Sequence, residues 1–418
     1  MKLEELFKLL VNFTFFYPLA MSYVWMLAGL YYRFHWESKL SKDPTKPPPL
    51  PHYPLVTILV PCHNEGDNAR ETIGWAAQQK YPNFEIIAIN DGSKDNTGEI
   101  LDEIAEEYDC VRVLHLATNQ GKAMGLRMGA LASKAEYLLG IDGDALLDPY
   151  ATHWFMYHMV HGSRVGAVTG NPRIRTRSSI LGKLQVGEFS SIIGLIKRAQ
   201  RIYGRVFTVS GVIVCFRRAA LHEVGYWSID MVTEDIDVSW RLQLAGWDIR
   251  YEPNSLCWIL MPETLNGLWK QRLRWAQGGS EVLLKYFPIL MSWRKRSMWP
   301  VFAEYTTSVI WAYCMASIMA YWFLTLFLPI PDAFRVSMLP QGAGLALGLT
   351  CLIQFMVSMY IDSRYEKGLS RYYTWMVWYP LAYWLLTMLT TVVALPKALT
   401  KRSGERAVWD CADRGIGT

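Results

Sequence analysis

This sequence reads as a doubly wound α/β domain joined to an α-helical transmembrane region. Short apolar runs alternate with helix-length segments between residues 55 and 169, and such alternation builds an open sheet with crossover helices. Four stretches outside that region carry no charged residue: Leu9–Tyr32, Tyr305–Leu328, Gly342–Ile361 and Tyr372–Leu395. Each reaches the roughly 20 apolar residues that a spanning helix needs. The composition agrees, since 51% hydrophobic and 14% aromatic residues are high for a purely soluble chain.

The first stretch reads as an anchor rather than a cleaved signal. Its apolar run exceeds the ~7–15 residues of a signal core, and no small-x-small cleavage site follows. Lys2 and Lys8 are offset by Glu4 and Glu5, whereas Arg33, Lys39, Lys42 and Lys46 follow the run. Basic residues favour the cytoplasmic side, so the central region is expected there. Arg294, Lys295 and Arg296 agree, as do Arg364, Lys367 and Arg371. The tail residues Lys397, Lys401, Arg402 and Arg406 disagree if all three C-terminal segments cross. Either the bias fails here or one segment re-enters, with Pro380 marking a break.

Residues 45–54 hold five prolines, which exclude helix and central strand and give a linker. Strands are expected at Leu55–Pro61, Phe84–Asn90, Val111–Leu116, Tyr137–Ile141 and Val165–Thr169, in a parallel sheet. Helices are expected at Asn68–Gln79, Asn96–Tyr108 and Lys122–Ala132. The chain thus divides into an anchor (1–33), a linker (34–54), an α/β domain (55–262), amphipathic interfacial helices (263–300), three membrane segments (301–396) and a basic tail (397–418). Ligands of open α/β sheets bind beyond the carboxyl ends of the strands. Asn64 and Glu65 follow the first strand, Asp91 the second, and Asp142 and Asp144 the fourth, so these polar groups converge on one crevice.

Several function classes lose ground. The seven cysteines (62, 110, 215, 257, 314, 351 and 411) form no C-x-x-C pair, which argues against a disulfide framework or a zinc site. A net charge of +5 is modest for this length and does not argue for nucleic-acid binding. No Walker-type glycine-lysine motif and no G-x-G-x-x-G fingerprint follow the first strand, against ATP hydrolysis and nicotinamide binding.

Asp142 and Asp144 stand two apart in an extended segment, so their carboxylates point the same way, and Gly143 leaves room for close approach. A hard divalent cation, Mg²⁺ or Mn²⁺, takes one such carboxylate together with substrate phosphates. A solvated Asp-Gly-Asp turn is the rival, and the buried run just before it favours the site. Asp91 can accept from ribose hydroxyls or a base imide; turn formation competes equally. Lys122 either approaches phosphate or base or simply starts a helix. Glu234 and Asp235 open a helical pattern over Asp237–Ala245, where capping beside Thr233 competes with general-base chemistry. Gln271, Arg272, Arg274 and Trp275 lie in the amphipathic stretch Leu265–Phe287. That stretch suits an interfacial helix, and equally an arginine for a diphosphate with a tryptophan face for a sugar. Arg173, Arg175 and Arg177 alternate along a run read as a solvated face, with phosphates or lipid headgroups as the other reading.

Pro61-Cys-His-Asn-Glu65, Asn90-Asp-Gly-Ser93, Asn119-Gln-Gly-Lys-Ala123, Asp142-Gly-Asp144, Thr233-Glu-Asp235 and Gln271-Arg-Leu-Arg-Trp275 together resemble the processive family 2 glycosyltransferases. Arg164–Arg177, Thr208–Arg217, Trp258–Gly279 and the tail Asp413-Arg-Gly-Ile416 are similar to the bacterial poly-β-1,6-N-acetylglucosamine synthases, from about Tyr17 onward. The resemblance implies a Rossmann-like GT-A fold, UDP-N-acetylglucosamine as donor, a divalent metal, inversion at the anomeric carbon, and polymer export across the bacterial inner membrane for a biofilm matrix. By position, His63, Glu65, Asp91 and Lys122 hold the uridine, and Asp142 supports ribose or the metal shell. Asp144 binds the metal, Asp235 is the base beside Glu234, and Gln271, Arg274 and Trp275 close over the diphosphate and growing chain. The resemblance further implies a small membrane subunit, with cyclic di-GMP at its interface. Relatives often carry two helices before the domain, whereas this chain has one. A chitin-, hyaluronan- or cellulose-type synthase, a single-transfer lipid-phosphate glycosyltransferase, and a transport or scaffold subunit with a decayed catalytic domain are the alternatives.

Overall fold

The computed structural model describes residues 3–39, 43–328, 342–402, 404 and 406. Lys2, Lys42, Cys411 and the 413–416 tail motif lie outside the described residues, as does most of the basic tail.

Helix α1 (Leu3–His35) leads through the linker to the sheet. Strand β1 (Val56–Cys62) is buried along its whole length, as a central strand covered on both faces must be. Burial of each large aliphatic side chain there contributes about 1.5–3 kcal/mol. Then follow α2 (Ala69–Ala76), β2 (Phe84–Asp91), α3 (Thr97–Glu107), β3 (Val111–Leu116), α4 (Lys122–Ala132) and β4 (Tyr137–Ile141). β1 pairs in parallel with β2 on one side and β4 on the other, and β2 pairs in parallel with β3. The chain therefore turns outward in both directions from β1, and the crevice opens between the ends of β1 and β4. All four strands coincide closely with the expected runs.

Beyond β4 the sheet departs from the expected parallel form. The eight strands run in the order β3-β2-β1-β4-β7-β6-β8-β5, with β5 at Leu146–Leu147, β6 at Val165–Ile174, β7 at Ile213–Arg217 and β8 at Asp248–Ile259. β7 is antiparallel to both β4 and β6, and β5 is antiparallel to β8. β5 has two residues, too few to carry a periodic signal. β8 hides its pattern because Glu252, Asn254 and Ser255 are buried within it, Asn254 donating twice to the Glu252 carboxylate.

Between strands lie α5 (Ala151–Val160), α6 (Ile180–Phe189), a π-helical turn (Ser190–Ile196), α7 (Lys197–Ile202), α8 (Arg218–Glu223) and α9 (Glu234–Leu244). α10 (Leu265–Leu290) follows β8 and is N-capped by Thr264, whose hydroxyl accepts from the Gly267 N–H. A short 3₁₀ turn leads into α11 (Trp299–Thr325), and α12 (Ala343–Asp362) and α13 (Tyr379–Thr400) complete the described chain. Among the described residues, four helical segments are long and apolar enough to cross a membrane: Glu4–Lys39, Trp293–Thr325, Ala343–Asp362 and Tyr383–Thr400. The last apolar stretch does not begin as a helix at Tyr372. Residues Leu369–Trp378 form a 3₁₀ segment, and α13 starts beyond it with Pro380 in its first turn, where a proline lacks no needed N–H.

The helices are fastened to the domain by buried charge. Arg173 donates to Asp362 at 2.6 Å and to Glu366 at 2.8 Å, while Arg198 reaches Asp362 at 2.9 Å and Glu37 at 2.5 Å. Arg177 also pairs with Glu366, and Arg175 with Glu71 on α2. The expected solvated face is thus corrected at Arg173 and Arg177, while Arg175 stays exposed. Arg173 is 2% exposed because acidic partners 189 and 193 residues away fold onto it from the end of α12.

α13 lies along α10. It begins with Tyr379 packed between Phe355 and Tyr383, with Tyr383 facing the Glu188–Arg272 pair. It ends with Lys401, which donates to Glu281 at 3.0 Å and to the Asp230 carbonyl. Arg406 then reaches Gln120 at 2.9 Å. Both ends of this helix therefore rest on the domain that carries the sheet.

Candidate active site

The loops beyond β1, β2 and β4 meet as the topology requires. After β1, Asn64 takes a left-handed backbone (φ 53°), which asparagine tolerates, and its side chain accepts from the Lys94 N–H at 2.9 Å. His63 Nδ1 donates to the Asp91 carbonyl at 2.8 Å, and Asn119 donates to His63 Nε2 at 2.9 Å, which fixes the orientation of the ring. Glu65 is 2% exposed and accepts from Asn68. After β2, Gly92 has φ +58°, and a Cβ there would fall 2.4 Å from the Asn119 nitrogen, so only glycine closes this turn. Asp91 is fully buried and accepts from the Gln120 N–H at 2.7 Å and the Gly121 N–H at 2.8 Å. Its first task is thus to brace the 119–121 loop against β2.

That brace delivers Lys122 to the centre. Its ammonium donates to Asp142 at 2.5 Å and to the Gly211 carbonyl at 3.1 Å, and it stands 3.5 Å from Glu234. Burial alone would lower the Lys122 pKa; the Asp142 and Glu234 carboxylates more than reverse this, and the group is held well above the ordinary lysine range. One cation therefore ties the end of β4 to the start of α9. Gly143 passes close under the β1 loop, where a Cβ would meet the Pro61 carbonyl at 2.9 Å. Asp144 follows it, partly exposed and engaged with a partner of its own.

At the start of α9, Asp235 accepts from the Ile236 N–H at 2.9 Å and, more weakly, from the Gly211 N–H at 3.3 Å. Burial, reinforced by the adjacent Glu234 charge and opposed by Lys122, pushes its pKa up to about 6. A carboxylate poised there can accept a proton near neutrality. The capping reading finds no support in Thr233, whose hydroxyl makes no cap hydrogen bond.

The Gln271–Trp275 segment behaves differently. Gln271 is buried, with its amide toward the Met261 sulfur at 3.7 Å. Its oxygen accepts from Arg272 at 3.1 Å. Arg272 also pairs with buried Glu188 at 2.5 Å and lies 4.2 Å from the centroid of the Trp275 ring. Trp275 in turn faces Phe189 at 6.3 Å. Arg274 is partly exposed. α10 reaches the crevice through Gly278, where a Cβ would stand 1.9 Å from the Thr233 hydroxyl.

The site thus unites His63, Asp91, Lys122, Asp142, Glu234 and Asp235 in one contact chain, with Glu65 against Gly143 beside it. Gln271 is set behind Arg272 rather than opening into the crevice. Three contributors escaped the sequence reading: Glu188, the Ser210-Gly211 peptide and Arg272 as an orienting group. The quoted stretch Thr208–Arg217 contained the second without marking its role.

A mannosyltransferase from Pyrobaculum calidifontis, solved with GDP-Man and Mn²⁺, aligns over 94% of this chain and 99% of its own with a TM-score of 0.62. At 18% identity this likeness speaks to the fold, a GT-A sheet with appended helices. Residues 52–278 match the family described as "Glycosyltransferase like family 2". The chain belongs to that family. It is 39% identical to the poly-beta-1,6-N-acetyl-D-glucosamine synthase of Staphylococcus epidermidis over 97% of this chain and 98% of the relative. It is 41% identical to the Staphylococcus aureus protein of that name over 97% of this chain and 98% of the relative. This member of the glycosyltransferase family is a membrane enzyme, and the crevice at β1 and β4 is where its chemistry must be sought.

Proposed function

We propose that the enzyme polymerises N-acetylglucosamine from UDP-N-acetylglucosamine into a β-1,6-linked chain, with inversion at the anomeric carbon. The Lys122 bridge between Asp142 and Glu234 carries this reading, because it sets the donor-side carboxylates beside the proton-accepting pair. The full-length likeness to the staphylococcal synthases supports the choice of sugar and linkage.

His63, Glu65 and Asp91 form the uridine wall, and Lys122 faces the diphosphate. Asp142 and Asp144 offer oxygen ligands only, and among the described residues no third His, Cys, Asp or Glu closes a protein cage around them. That donor set fits a hard cation which shares its remaining positions with phosphates. Mg²⁺ or Mn²⁺ at Asp144 would supply positive charge to the departing UDP. Asp235 removes the proton from the acceptor C6 hydroxyl as that oxygen bonds to the anomeric carbon. The bond from that carbon to the diphosphate breaks, and its electron pair leaves with UDP. Arg272 turns Trp275 toward the acceptor, and Arg274 attends the diphosphate.

The domain lies in the cytoplasm of a bacterium, by the basic residues Arg33 in the last turn of α1 and Lys39 after it, and the product leaves across the inner membrane toward the extracellular matrix. α1, α11 and α12 cross, whereas α13 re-enters, since both its ends rest on the domain. The re-entry removes the conflict raised by the basic tail. Cysteine labelling at residue 401 should require permeabilised cells; labelling from outside would make α13 a crossing. A small membrane subunit, with cyclic di-GMP at its interface, completes the proposal on the sequence resemblance alone.

Linkage analysis of radiolabelled product from purified protein in lipid vesicles tests the reaction. The expected product is a long 1,6-linked polymer with UDP release abolished by chelator. A single sugar on lipid, or a 1,4-linked chain, would overturn it.

A further inference from the structure

Lys197 opens α7 at the end of the π-helical turn and is 3% exposed. An ammonium taken out of water is costly unless the fold uses its charge or its hydrogen bonds. Its Nζ donates to the Ser210 hydroxyl at 2.6 Å and to the Thr169 hydroxyl on β6 at 3.2 Å. The Thr169 hydroxyl also accepts the Ser210 N–H at 2.8 Å, which closes a buried triangle. Among the described residues, the charge acting on Lys197 is the Asp235 carboxylate, and burial against that attraction draws the lysine down to about 7.

The residue next to Ser210 touches both sides of the active site. Gly211 donates its N–H to Asp235 and offers its carbonyl to Lys122. A Cβ at Gly211 would stand 3.0 Å from the Asp235 carboxylate, so the peptide lies flat against it. The leading charges on Asp235 are Glu234 on its own helix and Lys122 from α4, and Asp235 in turn attracts Lys197 from α7. Lys122 already spends its charge on Asp142 and Glu234. A methionine would fill the Lys197 slot without any desolvation cost, yet it would leave Ser210 and Asp235 without this donor and charge.

We propose that Lys197 is a positioning residue for glycosyl transfer: through Ser210 it fixes the Gly211 peptide against Asp235, and its charge keeps that carboxylate ionised. This rests on the reading of Asp235 as the base. The test is a pH profile of kcat and of KM for UDP-N-acetylglucosamine in full-length Lys197→Met and Lys197→Arg. In Lys197→Met the acidic limb should move up by about one pH unit, so that kcat falls about twofold at pH 7 and about tenfold at pH 5, with the donor KM within about twofold. Lys197→Arg keeps the charge and should retain the wild-type acidic limb. An unmoved limb in Lys197→Met, or an arginine variant that shifts like methionine, overturns the proposal. Should Lys197→Met not accumulate, Lys197→Gln is read by the same criteria. Wild-type activity in Asp235→Asn would instead remove the base assignment itself, so the two failures are distinguishable.

Discussion

Two acidic pairs share the crevice, and their surroundings give them different work. Asp142 is neutralised by Lys122, while Asp235 is buried beside Glu234 and titrates near 6. The sign follows from the raised value. Asp235 is protonated and idle below about pH 6 and ionised above it, so kcat/KM should fall about tenfold per unit as pH drops below 6. Because folding raises this pKa, the same group destabilises the fold as pH rises from about 4 to 6. Asp144→Ala should act elsewhere, weakening metal-dependent donor binding; unchanged metal dependence of UDP binding would remove it from the cation's ligands. Asp142 and Asp144 were legible in the sequence because they follow an apolar run of strand length. Glu234 and Asp235 only opened a helical pattern in which capping competed, and the family resemblance singled them out. Glu188, Lys197 and the orienting role of Arg272 were not legible, since a glutamate, a lysine and an arginine in helical stretches look alike whether they face water or one another. Only the fold reveals that Arg272 and Glu188 are buried as a pair.

Among the elements, α10 touches both the start of α9 and the membrane helices α11 and α13. Its Gly278 and Gly279 lie against Thr233 and Tyr305, where added methyl groups would come within 1.9 and 2.1 Å of side-chain oxygens. A Gly278→Ala substitution must push α9 away, and with it Glu234 and Asp235. Displacements on this scale cost about ten- to a hundredfold in rate. We expect such a loss in kcat for Gly278→Ala with the protein still folded, and partial recovery in Gly278→Ala/Thr233→Ala. Full activity in the single variant would show that α10 does not set the base. The first four strands were legible because a mainly apolar run such as Ile58–Val60 has its stable place in a buried strand. β7 and β8 were obscured for different reasons: β7 has only five residues, and β8 holds buried hydrogen-bonded polar residues.

Across the whole molecule, Glu37, Arg173, Arg198, Asp362 and Glu366 lock α1 and α12 onto the sheet through residues distant in sequence. Asp362 is fully buried and answers two arginines, so Asp362→Ala takes one of two carboxylates from each, leaving Arg173 with Glu366 and Arg198 with Glu37. Breaking a buried pair in this way costs about 3–5 kcal/mol. A clear drop in the thermal unfolding midpoint in detergent is expected, and an unchanged midpoint would mean that the helices dock by apolar contact alone. The membrane helices were legible from length and lack of charge. Their attachment was not, because each partner taken singly resembles an ordinary juxtamembrane charge.

Polymer synthesis by Asp235→Asn, measured beside its affinity for UDP, tests the shared crevice most directly. No polymer above background is expected, with UDP bound within about threefold of the wild-type affinity, because a proton acceptor is lost while the donor wall stays intact. Polymer formed at the wild-type rate would contradict the assignment of proton transfer to the start of α9.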